Sequence, residues 1–152
     1  RGVEIMENSH QLTTVGAIST FLWAGNAIVT LVSKATGQRY TFKVRQPEAH
    51  DDNATPPHFV MLLAGPDNGG DYVYMGAVFA DRPGKLTLTR KSQFKYDSTP
   101  VKAFQYLLNC LAHDTLGQLE VWHEGRCGRC GKRLTVPESI ETGLGPVCAG
   151  LA

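Results

Sequence analysis

The sequence predicts an α+β fold, an antiparallel sheet of about five to six strands with helices on one face, followed by a small C-terminal treble-clef-like zinc module. Three observations carry that expectation. Residues 26–45 read as a hairpin whose second strand, 38–45, alternates apolar and polar side chains with the two-residue period of a strand. Residues 13–24 and 98–111 repeat apolar side chains at helical spacing, and residues 122–150 hold a Cys-x-x-Cys pair and a further cysteine in a glycine-rich run. The core domain is expected over residues 1–118 and the zinc-binding module, packed on it, over residues 119–152.

Val15, Ile18, Phe21 and Leu22 fall on one face of a short helix, with Gly25 as its stop. Residues 26–33 and 38–45 then read as a hairpin around a turn at 34–37. In its second strand Tyr40, Phe42 and Val44 face the core, while Arg39, Thr41, Lys43 and Arg45 present a cationic row on the other side. Residues 46–57 are rich in proline and acidic groups and form a loop, so His50, Asp51 and Asp52 read as solvated rather than metal-bound. A buried strand is expected at 58–64, a wide turn at 65–70, and a further strand run at 71–80 with Tyr72, Tyr74 and Gly76 opposite Val73, Met75 and Ala77. After a turn at 81–84, residues 85–92 alternate as another strand with Leu86 and Leu88 inward. Ser98 and Thr99, followed by Pro100, open a helix whose stripe is Val101, Phe104, Leu107, Leu108 and Leu111, with Cys110 as a packed thiol. Residues 119–122 form the last strand, leading into the cysteine-rich run.

Composition narrows the class. A hydrophobic share of 42% and a charged share of 19% exclude a disordered chain. No apolar run approaches the ~20 residues of a membrane helix, so no membrane partner is expected. The first ten residues carry no basic stretch followed by an apolar segment, and a cytoplasmic location is the expectation. The net charge of +1 hides an uneven distribution. Residues 1–84 carry six basic and eight acidic groups, whereas residues 85–133 carry nine basic and four acidic.

Cys127-Gly128-Arg129-Cys130-Gly131 has the form of a zinc knuckle, in which two thiolates share a tight turn and glycine permits the positive φ that aims backbone amides at sulfur. In an unexported chain that spacing favours metal over disulfides. Cys148 arrives after Gly143-Leu144-Gly145-Pro146, the way a treble-clef finger delivers late ligands, and His123 is the nearest upstream donor. The expected site is therefore structural Zn²⁺ held by His123, Cys127, Cys130 and Cys148, with Cys110, His113 or water as alternatives for the fourth position.

The segment from His123 to Cys148 closely resembles an uncharacterised domain family common in bacteriophage and other mobile-element proteins. Its tail runs Cys-x-x-Cys-Gly-Arg/Lys-x-Leu-Thr-x-Pro-x-Ser-Ile-x-x-Gly-x-Gly-Pro-x-Cys. Upstream stretches at 24–44 and 62–79 also look like segments that accompany that tail. The resemblance implies a treble-clef-like zinc module and a phage setting, and it carries over no catalytic residue.

Function is expected to be non-enzymatic. No GxSxG, Walker, dinucleotide or His-Glu-x-x-His signature is present, and Cys110 and His113 sit three apart on one helix as packing residues. A hydrolytic zinc would arise only with His123 off the metal and water in its place, beside Glu124 or Glu138. Arg126, Arg129, Lys132 and Arg133 crowd the knuckle, Arg90, Lys91 and Lys95 extend the basic field, and Arg39, Lys43 and Arg45 stand beside Tyr72 or Tyr74. These cations point to nucleic acid, by charge and by stacking on aromatics. The alternative is a protein-interaction factor, an adaptor or inhibitor of a host enzyme or defence complex, in which zinc is purely structural and the loops at 46–57 and 65–70 carry recognition.

Overall fold

The computed structural model describes residues 10–49, 55–65, 70–124, 126–130 and 142–144. The elements run β1 (Gln11–Leu12), α1 (Val15–Leu22), β2 (Asn26–Ser33), β3 (Arg39–Arg45), β4 (His58–Leu63), β5 (Tyr72–Val78), α2 (Thr99–Ala112) and β6 (Leu119–His123). The six strands among the described residues form one antiparallel sheet in the order β1-β6-β2-β3-β4-β5. Four strands, β2 to β5, follow one another as an antiparallel meander. β6 returns after α2 to pair with both β1 and β2, so residues 119–123 share a sheet with residues 11–78.

Strand alternation decides what is buried. Ala27, Val29 and Leu31 of β2, Phe42 and Val44 of β3, Val60 and Leu62 of β4, and Leu119 and Val121 of β6 all enter one apolar cluster. Both helices pack into that same cluster, α1 through Ile18, Phe21 and Leu22 and α2 through Val101, Phe104, Leu107 and Leu108. The rings of Phe42 and Phe104 meet edge-on at 5.2 Å, joining the centre of the sheet to the centre of α2. Each such fully buried side chain contributes about 1.5–3 kcal/mol relative to exposure. Helices on one face of an antiparallel sheet make this an α+β architecture.

Four local expectations are corrected. Residues 85–92 do not form a strand; they make one isolated bridge, Thr87 with Ala77. Leu86 is still buried, but side chains take the amides that a neighbouring strand would need. Gln105 Oε1 accepts from the Leu86 N–H (2.9 Å), the Tyr96 hydroxyl from the Leu88 N–H (3.0 Å) and Ser92 Oγ from the Thr89 N–H (2.8 Å). The strict alternation expected at 71–80 breaks at a bulge, where Val60 pairs with Gly76 and Met61 with Tyr74, leaving Met75 as the extra residue. Ser98 does not cap α2 with its side chain; its Oγ accepts from Lys95 N (3.0 Å) and its backbone carbonyl accepts from Lys102 N (3.0 Å). α1 ends at Leu22 with Trp23 as its C-cap, ahead of Gly25, and Thr14 caps its start by accepting from Ala17 N (3.1 Å). Residues 50–54 and 66–69, on which the expectations for the acidic loop and the wide turn partly fall, lie outside the described residues.

The other face of the sheet is different. Thr30, Thr41, Lys43, Phe59, Met61, Tyr72, Tyr74 and Trp122 are not among the side chains of the core cluster. Thr30 and Thr41 join β2 to β3 across that face through a 2.7 Å hydroxyl hydrogen bond. Among the described residues no helix lies over it, since α1 and α2 both serve the opposite cluster.

Candidate metal centre and basic sheet face

β6 places the first candidate donor. Leu119, Val121 and His123 alternate inward, so His123 lies on the core side at the end of the strand, only 2% exposed. Its backbone sits opposite Val29, and its N–H donates to His10 O at 3.0 Å. Its ring stacks on His10 at 5.0 Å and meets Phe21 at 5.7 Å.

The Cys127–Cys130 turn docks on the same phenylalanine. A Cβ on Gly128 would stand 2.7 Å from Phe21 Cδ1 and 3.0 Å from the Phe21 carbonyl oxygen, and one on Gly143 would stand 2.5 Å from the same ring carbon. Gly128 thus answers a need for space and has no positive φ, while Gly131, the knuckle's other glycine, lies outside the described residues; Gly143 takes a positive φ of 79°. Gly128 N donates to Gly143 O (2.8 Å), and Gly128 O accepts from Asn26 N (2.6 Å). Asn26 Nδ2 donates to Arg129 O (2.8 Å), so the first residue of β2 holds the turn by two bonds. Phe21 and Asn26 are therefore joints between core and knuckle, a role the sequence hid because each partner lies about a hundred positions away.

Within the turn, Cys127 is fully buried against Leu144 and Ala24. Its Sγ accepts from Arg129 N (3.4 Å) and Cys130 N (3.5 Å). Two backbone donors converging on one sulfur are the surroundings that a metal-bound thiolate uses. Cys130 is exposed. The two other donors considered for the fourth position are engaged at the end of α2. Cys110 donates its thiol to Leu116 O (3.5 Å), burial pushing its pKa up, and His113 Nδ1 lies 2.8 Å from Asn109 O. Among the described residues no three His, Cys, Asp or Glu side chains are grouped to hold a metal. Cys148, the third thiol of the expected set, lies outside the described residues, as do Lys132 and Arg133.

The cations named from sequence fall into three places. Arg39, Lys43 and Arg45 share the face of β3 that points away from the core, and Lys43 Nζ stands 5.6 Å over the Tyr72 ring. Arg90 and Lys91 are the exposed middle of a turn closed by Ser92 N donating to Thr89 O (3.0 Å). That turn is fastened to β5, where Thr89 Oγ1 bonds the Tyr74 hydroxyl (3.1 Å) and Gln93 N donates to Tyr74 O (3.2 Å). Arg126 and Arg129 are exposed on the knuckle, and the bonds from Asn26 set Arg129 at the sheet end where Asn26 pairs with Arg45. Phe59 and Tyr74 rings meet at 6.1 Å between these groups. Two carboxylates temper the field. Glu120 accepts from Trp122 Nε1 (3.2 Å), and Glu124 adds to burial in raising the Tyr72 phenol pKa.

Residues 119–151 match the model of a family of unknown function, DUF6011. That span begins with β6 and takes in the Cys-x-x-Cys turn and the last cysteine. No curated protein and no solved structure matches the chain.

Proposed function

We propose that the protein binds nucleic acid through the open face of its sheet and the adjoining basic knuckle, and that one structural zinc ion ties the C-terminal segment to the sheet. The observation that carries the nucleic-acid reading is Lys43 held over the Tyr72 ring in the middle of a sheet face that neither helix covers. A platform of this kind offers aromatic faces for bases and flanking cations for phosphates, here Arg45, Arg90, Lys91 and Arg129. It is a surface suited to a single strand, because stacking requires unpaired bases. A phage or mobile-element setting is the one that the resemblance of the tail implies.

The donor types are those zinc takes, although His123, Cys127 and Cys130 are not grouped around one point among the described residues. His123, Cys127, Cys130 and Cys148 would hold it, a Cys₃His set that zinc accepts. A closed four-donor ion supplies folding energy rather than a reaction. What the chain's own residues do is arrange the approach: Phe21 seats Gly128 and Gly143, and Asn26 fixes the carbonyls of Gly128 and Arg129.

Fluorescence anisotropy with a labelled oligothymidylate and with a duplex of equal length, across a salt series, tests the nucleic-acid reading. The single strand is expected to bind more tightly, with affinity falling as salt rises by a log–log slope of about −0.7 per neutralised phosphate. Lys43→Glu is expected to weaken binding and flatten that slope, and Tyr74→Ala to remove about 1–3 kcal/mol of stacking. Absence of binding at low salt, or affinity indifferent to salt, rejects this reading.

A further inference from the structure

Two large hydrophobic side chains stand exposed among the described residues, Tyr96 at 52% and Tyr106 at 42%. Both line one groove, on the helix side of the molecule, with a volume of about 430 Å³. A second hollow of about 420 Å³ adjoins it at Lys102 and Tyr106 and continues toward Gln38, Tyr40 and Leu119. A single exposed aromatic is ordinary on a protein surface, but two that line one groove give it an apolar wall.

Neither ring is loose. The Tyr96 hydroxyl accepts from Leu88 N (3.0 Å) and the Tyr106 hydroxyl from Gln118 N (3.2 Å). Their polar tips are thereby occupied, Lys85 covers one face of the Tyr96 ring, and the remaining apolar surface of the two rings is available. The floor is fixed as well, since the Gln105 amide bonds Leu86 N, Gly84 O (2.9 Å) and Asn109 Oδ1 (2.9 Å). Lys85 Nζ lies 5.2 Å over the Tyr96 ring, and Lys102 stands at the junction of the two hollows. None of the described residues lining either hollow is Asp or Glu.

We infer that this groove is a docking site for an acidic, extended peptide segment of a partner protein. An aromatic or aliphatic side chain of that segment fills the space beside the Tyr96 and Tyr106 rings, and its carboxylates face Lys85 and Lys102. Rigid aromatic anchors favour such contacts because little side-chain freedom is lost on binding. Charge selects the class of partner: the described lining carries Lys85 and Lys102 and no Asp or Glu. Two adjoining hollows that share Lys102 and Tyr106 suit an extended segment better than a compact ligand. The groove is separate from the basic sheet face, so the two readings stand or fall independently.

Selection from a random peptide display library on the full chain, followed by anisotropy on the enriched sequences, tests this. The enriched peptides are expected to carry Asp or Glu beside an aromatic or aliphatic anchor. Lys102→Glu is expected to weaken them about tenfold, a loss of about 1.4 kcal/mol, and Lys85→Glu with Lys102→Glu to shift preference toward Lys- and Arg-bearing peptides. Both lysines are exposed, so these variants should keep the wild-type thermal midpoint and circular dichroism. No enrichment, enrichment without acidic bias, or acidic peptides indifferent to the charge reversal overturns the inference. Loss of oligothymidylate binding in Lys102→Glu would assign the groove to nucleic acid and overturn it equally. Lys43→Glu should leave peptide affinity unchanged.

Discussion

Cys130→Ser is expected to leave the purified protein without zinc and residues 126–152 unprotected against hydrogen exchange, while the sheet and its core stay folded. The substitution is clean because Cys130 is exposed and outside the apolar clusters. Replacing its sulfur by oxygen removes no buried packing, and the bond from its backbone N–H to Cys127 Sγ does not depend on its side chain. Any large effect must therefore pass through the metal. Structural zinc in small modules is worth on the order of 10–16 kcal/mol at neutral pH, and a site that loses one of three thiolates keeps little of it. The body has its own resources, since α1, α2 and the inward side chains of the sheet form a cluster to which Cys130 contributes nothing. Metal content by atomic emission and exchange by mass spectrometry read the two effects separately. Full zinc stoichiometry in Cys130→Ser would contradict the donor assignment. Cys110→Ser, a change at a thiol that donates to Leu116 O, should retain the metal.

Phe21→Ala is expected to lower stability by about 3–5 kcal/mol, the cost of emptying a fully buried aromatic site. Its side chain is 1% exposed and serves two masters, the apolar cluster on one side and the ring of His123 with Gly128 and Gly143 on the other. Gly128→Ala, which would press a methyl group against the same ring, is expected to cost about 1–3 kcal/mol by overpacking. The two changes should not add. Once the ring is gone most of the clash goes with it, the 3.0 Å approach to the Phe21 carbonyl oxygen being what is left. A double-mutant cycle by urea denaturation is expected to give a coupling of about 0.5–3 kcal/mol, of the sign that relieves the glycine change. Strict additivity would mean that the knuckle does not rest on Phe21.

Much of this fold can be read from local pattern. The hairpin at 26–45 announces itself through its second strand, where Tyr40, Phe42 and Val44 alternate with Thr41, Lys43 and Arg45, and through the turn that returns it on the first. The stripe of α2 is equally plain, since Val101, Phe104, Leu107 and Leu108 all face the sheet. The segment 85–92 has the same alternation and yet is not a strand, for its amides are claimed by Gln105, Tyr96 and Ser92, and sequence pattern does not report which side chain will reach an amide. β1 is two residues long, too short to leave a periodic signal, and pairing with β6 alone defines it. For the site, parity was informative: Leu119 and Val121 are inward, so His123 must be inward as well. The convergence of His123 and the knuckle on Phe21 was not legible, being a contact across the fold. The cationic row on β3 was legible from alternation. The fastening of Arg90 and Lys91 beside Tyr74 was not, since it rests on a hydroxyl pair between a turn and a strand.

The most direct test is zinc K-edge X-ray absorption, with elemental analysis, on protein purified without added metal. One zinc per chain is expected, with three sulfur neighbours near ~2.3 Å and one nitrogen near ~2.0–2.1 Å. Metal-free protein with three or four thiols open to a thiol reagent, or a zinc shell dominated by oxygen and nitrogen, would contradict the account.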